Sequence, residues 1–266
     1  MTAIEELFSR LKSEDTTAFM PFVTAGDPDL DFTRDLLVEL DKAGCHLVEL
    51  GFPYSDPIAD GPVIQESYTR ALANRVTVEK IFEMVASVSS KINLPIVSMV
   101  SFALIYRYGT EKFVAAARSA GIRGAIVPDL PIDESKSFAQ LCGEHEFNLI
   151  QLITPTTPDD RAIEIAKAST GFIYYVSVSG ITGERNELPP ELTQRLRWLK
   201  RQINTPICVG FGISQPQQAT GLKPFADGVI VGSAIVKRIA MLDSSDRGSC
   251  ASEIAAFASE MVTALR

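Results

Sequence analysis

The sequence predicts an α/β fold in which eight parallel strands close into a (β/α)8 TIM barrel. Short apolar runs alternate with longer segments whose apolar residues recur at helical spacing, and each of the eight runs is followed by one such segment. Parallel neighbours need a crossover connection, which these helical segments supply. The length of 266 residues is close to the ~250 residues of a typical barrel. Because no linker or low-complexity segment divides the chain, one domain spanning residues 1–266 is expected.

The strand predictions rest on short apolar runs, in two of which a proline occupies the first position, where a missing N–H costs least. The predicted strands are 18–24, 46–50, 95–101, 124–127, 148–153, 172–177, 206–210 and 227–231. The predicted helices are 32–43, 78–91, 111–120, 133–145, 158–168, 190–202, 215–222 and 252–265. A doubly wound open sheet is the structural alternative, but it usually has fewer strands, and no G-x-G-x-x-G motif follows the first strand.

Composition and charge exclude several classes of protein. Hydrophobic residues make up 46% of the chain, which is enough for a large core and argues against general disorder. The 25 Lys and Arg residues against 33 Asp and Glu residues give a net charge of −8. An acidic surface argues against a nucleic-acid partner, because such binding depends on clustered basic side chains. A small anionic substrate stays possible, since backbone N–H groups bind phosphate regardless of net charge.

Cysteine usage and the N-terminus indicate the compartment. The four cysteines (Cys45, Cys142, Cys208 and Cys250) are widely spaced, and only two histidines are present. This pattern predicts free thiols in a reducing compartment and no metal site. The acidic N-terminus lacks the apolar run of a signal peptide, and no window approaches the ~18 apolar residues that span a bilayer. A cytoplasmic protein without a membrane association is therefore expected.

Carboxylates concentrate at the end of the second predicted strand. By strand alternation, Glu49 shares a face with Leu47 and Cys45, and a carboxylate in that position is costly unless it is paired or used. Asp56 and Asp60 follow in a loop that is rich in proline, which favours one fixed conformation. Two carboxylates at one pocket mouth can have divergent pKa values and so act as acid and base. A Glu that reaches solvent and turn-forming Asp residues are the simpler alternatives.

Glycine-rich segments follow the sixth, seventh and eighth predicted strands. They occupy residues 179–183, 210–214 and 232–234. Glycine lets backbone N–H groups approach an oxyanion, and the loops after strands 7 and 8 of such barrels recurrently bind phosphate. Three segments at consecutive strand ends predict a phosphate site that needs no basic side chain.

Five segments together resemble the tryptophan synthase alpha-subunit family, and the similarity covers essentially the whole chain. They are residues 21–28, 48–51, 55–65, 179–183 and 210–214, of which the Asp-Pro-x-Ala-Asp-Gly-Pro loop at 56–62 is the most specific. The resemblance implies a (β/α)8 barrel that cleaves indole-3-glycerol phosphate to indole and glyceraldehyde 3-phosphate without cofactor or metal. It also implies a tryptophan synthase beta subunit as partner, in an alpha2beta2 complex.

The resemblance assigns roles to individual residues of this sequence. Glu49 matches the general acid/base and Asp60 the second catalytic carboxylate. Thr182 matches a loop threonine that meets Asp60 when the loop after the sixth strand closes. The positions that match the indole pocket or its apolar lining are Phe22, Tyr174, Phe211, Ile64, Met99 and Ile126. The positions that match phosphate-binding backbone are Gly183, Gly212, Gly232 and Ser233.

Two positions depart from the family pattern. Ala103 replaces a usual asparagine near the partner-facing surface, and Val178 replaces a frequent arginine. These changes leave the catalytic pair intact, and altered activation by a partner is expected from them. A barrel that mainly binds and activates a beta partner is one alternative to a lyase. Another phosphosugar isomerase or synthase is a second, but no lysine stands at a strand end to serve it.

Overall fold

The computed structural model describes residues 1–57, 60–177, 188–210, 212–241 and 247–266. Its strands are β1 (Ala18–Thr24), β2 (Val48–Gly51), β3 (Ile96–Met99), β4 (Ile122–Ile126), β5 (Asn148–Ile153), β6 (Ile173–Val176), β7 (Ile207–Gly210) and β8 (Gly228–Val231). They form a closed barrel in the order β1 to β8, with every neighbouring pair parallel. Pairing of Ala18 with Gly228 and of Pro21 with Val231 closes the ring between β1 and β8. The predicted (β/α)8 TIM barrel is confirmed.

Helices surround this barrel. They are α1 (Ala3–Ser13), α2 (Leu30–Lys42), α3 (Pro62–Ala73), α4 (Val78–Ser89), α5 (Phe102–Tyr108), α6 (Thr110–Ala120), α7 (Ile132–Glu144), α8 (Asp159–Ala168), α9 (Pro190–Gln202), α10 (Pro216–Leu222), α11 (Ser233–Ala240) and α12 (Arg247–Leu265). Eight of them correspond to the predicted helices, whereas α1, α3, α5 and α11 were not predicted. Among the described residues, none of the helices is long and apolar enough to cross a membrane.

The core has two principal layers, one inside the barrel and one between the strands and the helices. Leu47, Val97 and Ile150 belong to the inner layer, whereas Val48 and Leu50 pack outward against the helices. Glu49 therefore points inward beside Leu47, as strand alternation predicted. The expectation that Cys45 shares this face was wrong: Cys45 lies in the outer layer. Regular pairing in β2 begins only at Val48, so the alternation does not extend back to Cys45.

Helix α1 closes the N-terminal end of the barrel. Its buried residues Ile4, Leu7, Phe8 and Leu11 join the inner layer. Thr2 and Glu5 form a capping box, in which the Thr2 hydroxyl accepts from the Glu5 N–H and the Glu5 carboxylate accepts from the Thr2 N–H. This cap fixes the residue at which α1 starts. The apolar face of α1 covers the N-terminal end of the barrel and forms its floor.

His46 is a half-buried hydrogen-bond acceptor near that floor. Its Nδ1 atom accepts the backbone N–H of Phe19 in the neighbouring strand at 3.0 Å. Burial, helped by the positive charges of Arg10 and Arg266, lowers the pKa of His46 to about 4. A protonated imidazole has no free acceptor nitrogen, so the bond requires the neutral ring.

Acidification is expected to weaken the fold through His46. Between about pH 6.5 and pH 4 the unfolded chain binds a proton at this position that the folded chain does not, so stability falls as the pH drops. The loss should reach roughly 2–3 kcal/mol. Urea unfolding of wild type and His46→Asn at pH 7 and pH 4.5 measures it, since an amide oxygen can accept the bond without titrating.

The second histidine, His145, provides the matched control. Relative to wild type, His46→Asn should gain stability between pH 7 and pH 4.5, because it lacks the proton uptake of His46, whereas His145→Asn should show no such gain. Equal slopes in all three proteins would show that His46 does not carry the acid sensitivity.

Candidate active site

Glu49 occupies the inner face of β2, near the C-terminal end of the barrel. Only 1% of the residue is exposed, and neither carboxylate oxygen has a hydrogen-bond partner among the described residues. Burial, reinforced by the nearby charge of Asp60, raises the pKa of Glu49 to about 8. A carboxyl group with these properties holds its proton at neutral pH and has no structural bond to maintain. It is therefore suited to giving a proton to a bound molecule.

Asp60 lies just before α3, at the end of the loop that leaves β2. Burial raises the pKa of Asp60 to about 6, so at neutral pH it is mostly ionised. The Asp60 N–H donates to the Pro57 carbonyl at 3.1 Å. The side-chain amide of Gln65 donates to the Pro57 carbonyl at 3.2 Å and to the Asp60 carbonyl at 2.8 Å. Helix α3 thus holds both ends of the turn that carries Asp60.

The same helix is bound to the loop after β1. Arg70 of α3 donates two hydrogen bonds to Asp27, through Nε at 2.8 Å and Nη2 at 2.7 Å. Asp27 is 1% exposed, so this bidentate pair is partly withdrawn from water. Deeper in the structure, the hydroxyls of Thr24 and Ser67 lie 2.7 Å apart. The loops after β1 and β2 are consequently both held by α3.

Two aromatic rings rest directly on glycine backbone at strand ends. A Cβ on Gly51 would lie 2.5 Å from Cζ of Phe22, and a Cβ on Gly210 would lie 2.3 Å from the hydroxyl of Tyr174. Any larger residue at either glycine would displace the ring beside it. The absence of side chains at these strand ends makes room for two aromatic walls near Glu49.

Apolar side chains complete the wall around the carboxylates. Ile64 packs with Phe22 and Tyr68, and Met99 joins this group to the inner layer that holds Ile126 and Tyr174. The structure therefore places Phe22, Ile64, Met99, Ile126 and Tyr174 around one end of the barrel. Tyr68, which is 3% exposed, was missed because it stands on the unpredicted helix α3.

Helix α11 begins at the end of β8, where phosphate-binding backbone was expected. Gly232 precedes the helix, and Ser233 is its first residue, with an exposed side chain. The first N–H groups of a helix have no intrahelical partner and attract anions. Gly212 lies near the end of β7 with φ of +80°, a conformation that favours glycine. Three further predicted site residues, Thr182, Gly183 and Phe211, lie outside the described residues, as does Val178.

The segment with the departure at Ala103 starts helix α5. Ser101 caps the helix: its hydroxyl accepts from the Ala103 N–H at 3.2 Å and donates to Asp129 at 2.6 Å. Asp129 also accepts from the Phe102 N–H at 2.8 Å. The Ala103 side chain itself is exposed. A change at this position therefore alters the surface and leaves the cap in place.

In the part of the chain that the structure describes, no group of three or more His, Cys, Asp and Glu side chains could hold a metal ion. The four cysteines are buried, and Cys45, Cys142 and Cys208 are free thiols. Chemically, the site combines a protonated carboxyl group, an ionised carboxylate and an aromatic and apolar wall. Such an arrangement can move protons to and from a flat aromatic molecule while a neighbouring negative charge stabilises positive charge on it.

Comparison with known proteins gives one consistent result. The family model described as tryptophan synthase alpha chain matches residues 8–266. The tryptophan synthase alpha chain of Rhodopirellula baltica is 49% identical over 243 residues, 90% of this chain and 87% of that protein. The one from a Picosynechococcus species is 46% identical over 241 residues, 90% of this chain and 91% of that protein.

Solved structures agree. Tryptophan synthase subunit alpha from Legionella pneumophila superposes with a TM-score of 0.91 at 33% identity, covering 100% of this chain and 98% of that one. A structure of the tryptophan synthase a2b2 complex from Pyrococcus furiosus contains a chain that matches with a TM-score of 0.87 at 37% identity. That match covers 93% of this chain and 99% of the other.

Proposed function

Because the chain belongs to the tryptophan synthase alpha chain family, we propose that Glu49 and Asp60 together carry out its lyase reaction. This reaction cleaves indole-3-glycerol phosphate to indole and glyceraldehyde 3-phosphate in tryptophan biosynthesis. The observation that carries the proposal is the pair itself: a buried Glu49 with a pKa of about 8 next to an Asp60 with a pKa of about 6. Around neutral pH one is an acid and the other an anion, and the reaction needs both.

Glu49 is the proton carrier in this mechanism. Cleavage breaks the bond between C3 of the indole and the first carbon of the glycerol chain. Glu49, protonated at rest, gives its proton to C3 of the indole. The carboxylate that results takes the proton of the neighbouring glycerol hydroxyl as that oxygen becomes the aldehyde carbonyl. Glu49 thereby regains its proton, and the pair of transfers is balanced.

Asp60 acts through charge. Protonation at C3 places positive charge on the indole nitrogen, and an ionised carboxylate beside the N–H stabilises it. Gln65 and the backbone bond to Pro57 hold Asp60 in advance of the reaction, so little reorganisation is needed when charge develops. Phe22 and Tyr174 supply flat apolar surface for the ring, and the start of α11 supplies N–H groups for the phosphate.

We propose further that the enzyme works with a tryptophan synthase beta subunit in an alpha2beta2 complex. The Pyrococcus furiosus relative, whose structure is of such a complex, supports this. Ala103, exposed at the start of α5, belongs to the surface where an altered response to the partner is expected. The free, buried thiols of Cys45, Cys142 and Cys208 support a cytoplasmic location. The same proposal treats residues 1–266 as one barrel domain.

A direct assay tests the function. Purified protein is incubated with indole-3-glycerol phosphate, alone and with a beta subunit, and the release of indole is followed. We expect slow indole release alone and faster release in the complex. A protein that raises beta-subunit activity but releases no indole under either condition would instead be a partner-activating barrel, and the assignment of Glu49 and Asp60 would fall.

Phosphate binding is expected to depend on backbone at Gly232. A Cβ on Gly232 would meet Phe22 at ordinary distances of 3.5 to 3.7 Å, so Gly232→Ala should fold normally. The added methyl group would stand at the start of α11, where the phosphate is proposed to bind, and should raise KM about tenfold or more with a smaller effect on kcat. Steady-state kinetics and calorimetry with glycerol phosphate measure this.

Gly212→Val tests the neighbouring loop but is less clean, because the φ of +80° strains any side chain there. A raised KM in Gly212→Val indicates lost phosphate binding only if the unfolding midpoint of the variant shows that it is folded. Gly143→Ala is the matched control for Gly232→Ala, since a Cβ on Gly143 of α7 would point into open space. Unchanged glycerol phosphate affinity in Gly232→Ala would place the phosphate elsewhere.

A further inference from the structure

One face of α3 is hydrogen-bonded to the loop that follows β1. Positions 67 and 70 of α3 and the C-cap position 74 recur at helical spacing, so their side chains share this face. The three hydrogen-bonded pairs are Ser67 with Thr24, Arg70 with Asp27, and Asn74 with the Pro28 carbonyl. Of these pairs, only Arg70 with Asp27 joins two charged groups. The placement of α3 on the barrel therefore depends on a polar face with an ion pair in its middle.

The Arg70–Asp27 pair has a geometry that fixes direction as well as distance. Nε of Arg70 donates to one carboxylate oxygen of Asp27 at 2.8 Å and Nη2 donates to the other at 2.7 Å. The side chain of Asp27 is 1% exposed and that of Arg70 is 36% exposed. Desolvation offsets much of the attraction in an ion pair that is withdrawn from water, so its net contribution to stability is small. The pair supplies a defined orientation between two elements instead.

These two elements carry the two carboxylates of the site. Strand β1 pairs in register with β2, where Thr24 is opposite Gly51, two residues beyond Glu49. The β1 loop is therefore fixed relative to Glu49. Asp60 is held by α3, because the Gln65 side chain donates to the Asp60 carbonyl at 2.8 Å. Any sliding or rotation of α3 against the β1 loop would change the separation of Asp60 from Glu49.

We propose that Arg70 and Asp27 are positioning residues, whose bidentate pair fixes α3 against the β1 loop and thereby sets where Asp60 stands relative to Glu49. This inference rests on the proposed function of the two carboxylates. Their reaction requires a proton carrier and a stabilising charge to meet one indole ring together, so a small misplacement of either lowers the rate. Arg70 and Asp27 act through α3 and not by contact with the substrate.

Arg70→Lys tests the proposal because lysine keeps the positive charge but replaces the planar fork with a single ammonium group. We expect kcat to fall about 10- to 100-fold, because the helix loses its fixed orientation. KM should change little, since the aromatic wall and the start of α11 are retained. Urea unfolding of the variant verifies that it is folded under the assay conditions.

A second measurement on Arg70→Lys needs no substrate. Burial raises the pKa of Asp60 to about 6, and a displaced α3 would admit water to this carboxylate. The pKa of Asp60 should therefore fall by about one pH unit, and the acidic limb of the kcat profile should move to lower pH with it. Because lysine carries the same charge as arginine, the shift reports position. Carbon-13 NMR of aspartate-labelled, ligand-free protein follows the titration, with Asp60→Asn identifying the signal.

Chemical rescue of Arg70→Ala separates geometry from charge. The position is partly exposed, so a guanidinium ion from solution can reach Asp27 and offer it the same two parallel N–H donors. Millimolar guanidinium chloride should raise the kcat of Arg70→Ala severalfold, whereas ammonium chloride at the same concentration should not. Rescue by neither salt, or by both equally, would overturn the bidentate role. If Arg70→Ala does not fold, the two measurements on Arg70→Lys decide.

Arg34→Lys is the matched control. Arg34 of α2 is 37% exposed and also donates two hydrogen bonds to carboxylates, to Asp35 at 2.9 Å and to Asp31 at 2.7 Å. All three residues belong to one helix, so this cluster orients no second element. Arg34→Lys should leave both kcat and the Asp60 signal unchanged.

Two further outcomes would overturn the inference. Unchanged kcat and an unchanged Asp60 pKa in Arg70→Lys, or equal changes in Arg34→Lys, would reduce the Arg70–Asp27 pair to a stabilising contact. A wild-type protein that releases no indole would remove the lyase mechanism. The NMR titration would still show whether Arg70 positions Asp60, so the two failures are distinguishable.

Discussion

Glu49→Gln is expected to lower kcat by roughly 10²–10⁴-fold or more while the substrate still binds. Glutamine keeps the shape of the side chain but cannot give a proton to the indole or take one from the glycerol hydroxyl. The loss should therefore fall on kcat, with KM close to the wild-type value. Single-turnover release of indole, together with calorimetric titration of the substrate, separates the chemical step from binding.

The same variant should be more stable than wild type above neutral pH. Burial in the folded protein raises the pKa of Glu49 from its ordinary value of 4.5 to about 8, so as the pH rises from 4.5 through 8 the unfolded chain is increasingly favoured. A glutamine does not titrate and removes this loss, which urea unfolding at pH 8 detects. Glu66→Gln, on the exposed side of α3, is the control and should change neither property. Near-normal kcat in Glu49→Gln would refute the assignment of Glu49 as acid and base.

Asp60→Asn is expected to lower kcat by roughly 10²–10³-fold, because a neutral amide no longer stabilises positive charge on the indole nitrogen. The substitution also removes the charge that helps to hold the proton on Glu49. The pKa of Glu49 should therefore fall, and the basic limb of whatever activity remains should move to lower pH. The pH profile of kcat between pH 5 and pH 9 measures both effects.

Asp56→Asn is the matched control in the same loop. The Asp56 side chain is exposed and accepts a hydrogen bond from the Ser55 hydroxyl at 2.9 Å. In assays without a partner, its loss should leave kcat and both limbs of the profile unchanged. If Asp56→Asn were as impaired as Asp60→Asn, the loop conformation rather than the Asp60 charge would be responsible.

The alternation of apolar runs and helical segments was sufficient to predict the barrel, and β1 and β5 have the predicted bounds. Prediction was weaker where an element is short or follows a loop motif. Helix α5 has seven residues and α11 eight, which is too few for a helical period to stand out. Helix α3 directly follows the proline-rich loop, whose residues are typical of a turn rather than of a helix. The Thr2–Glu5 capping box is a clear sequence signal for a helix start, although α1 was not predicted from it.

The site was predictable to the extent that it lies on strands. Glu49, Phe22 and Tyr174 face inward because side chains alternate along a strand whose bounds a sequence reveals. Gln65 and Arg70 act from α3, and their contacts join residues up to 43 positions apart. Such contacts depend on how the helix is placed on the barrel, which no local pattern specifies. The raised pKa of Glu49 likewise follows from burial by many distant residues.

The closure of the N-terminal end by α1 restricts where substrate can enter and where indole can leave. Leu47, Val97, Ile126 and Ile150 fill the axis of the barrel, and Ile4 and Phe8 seal the layer below them. In the part of the chain that the structure describes, the barrel is closed at its N-terminal end, so indole is expected to leave at the C-terminal end that admitted the larger substrate. A subunit that receives indole without loss to the solvent must sit over that C-terminal end. A subunit bound at the N-terminal end would be separated from the active site by the packed interior of the barrel.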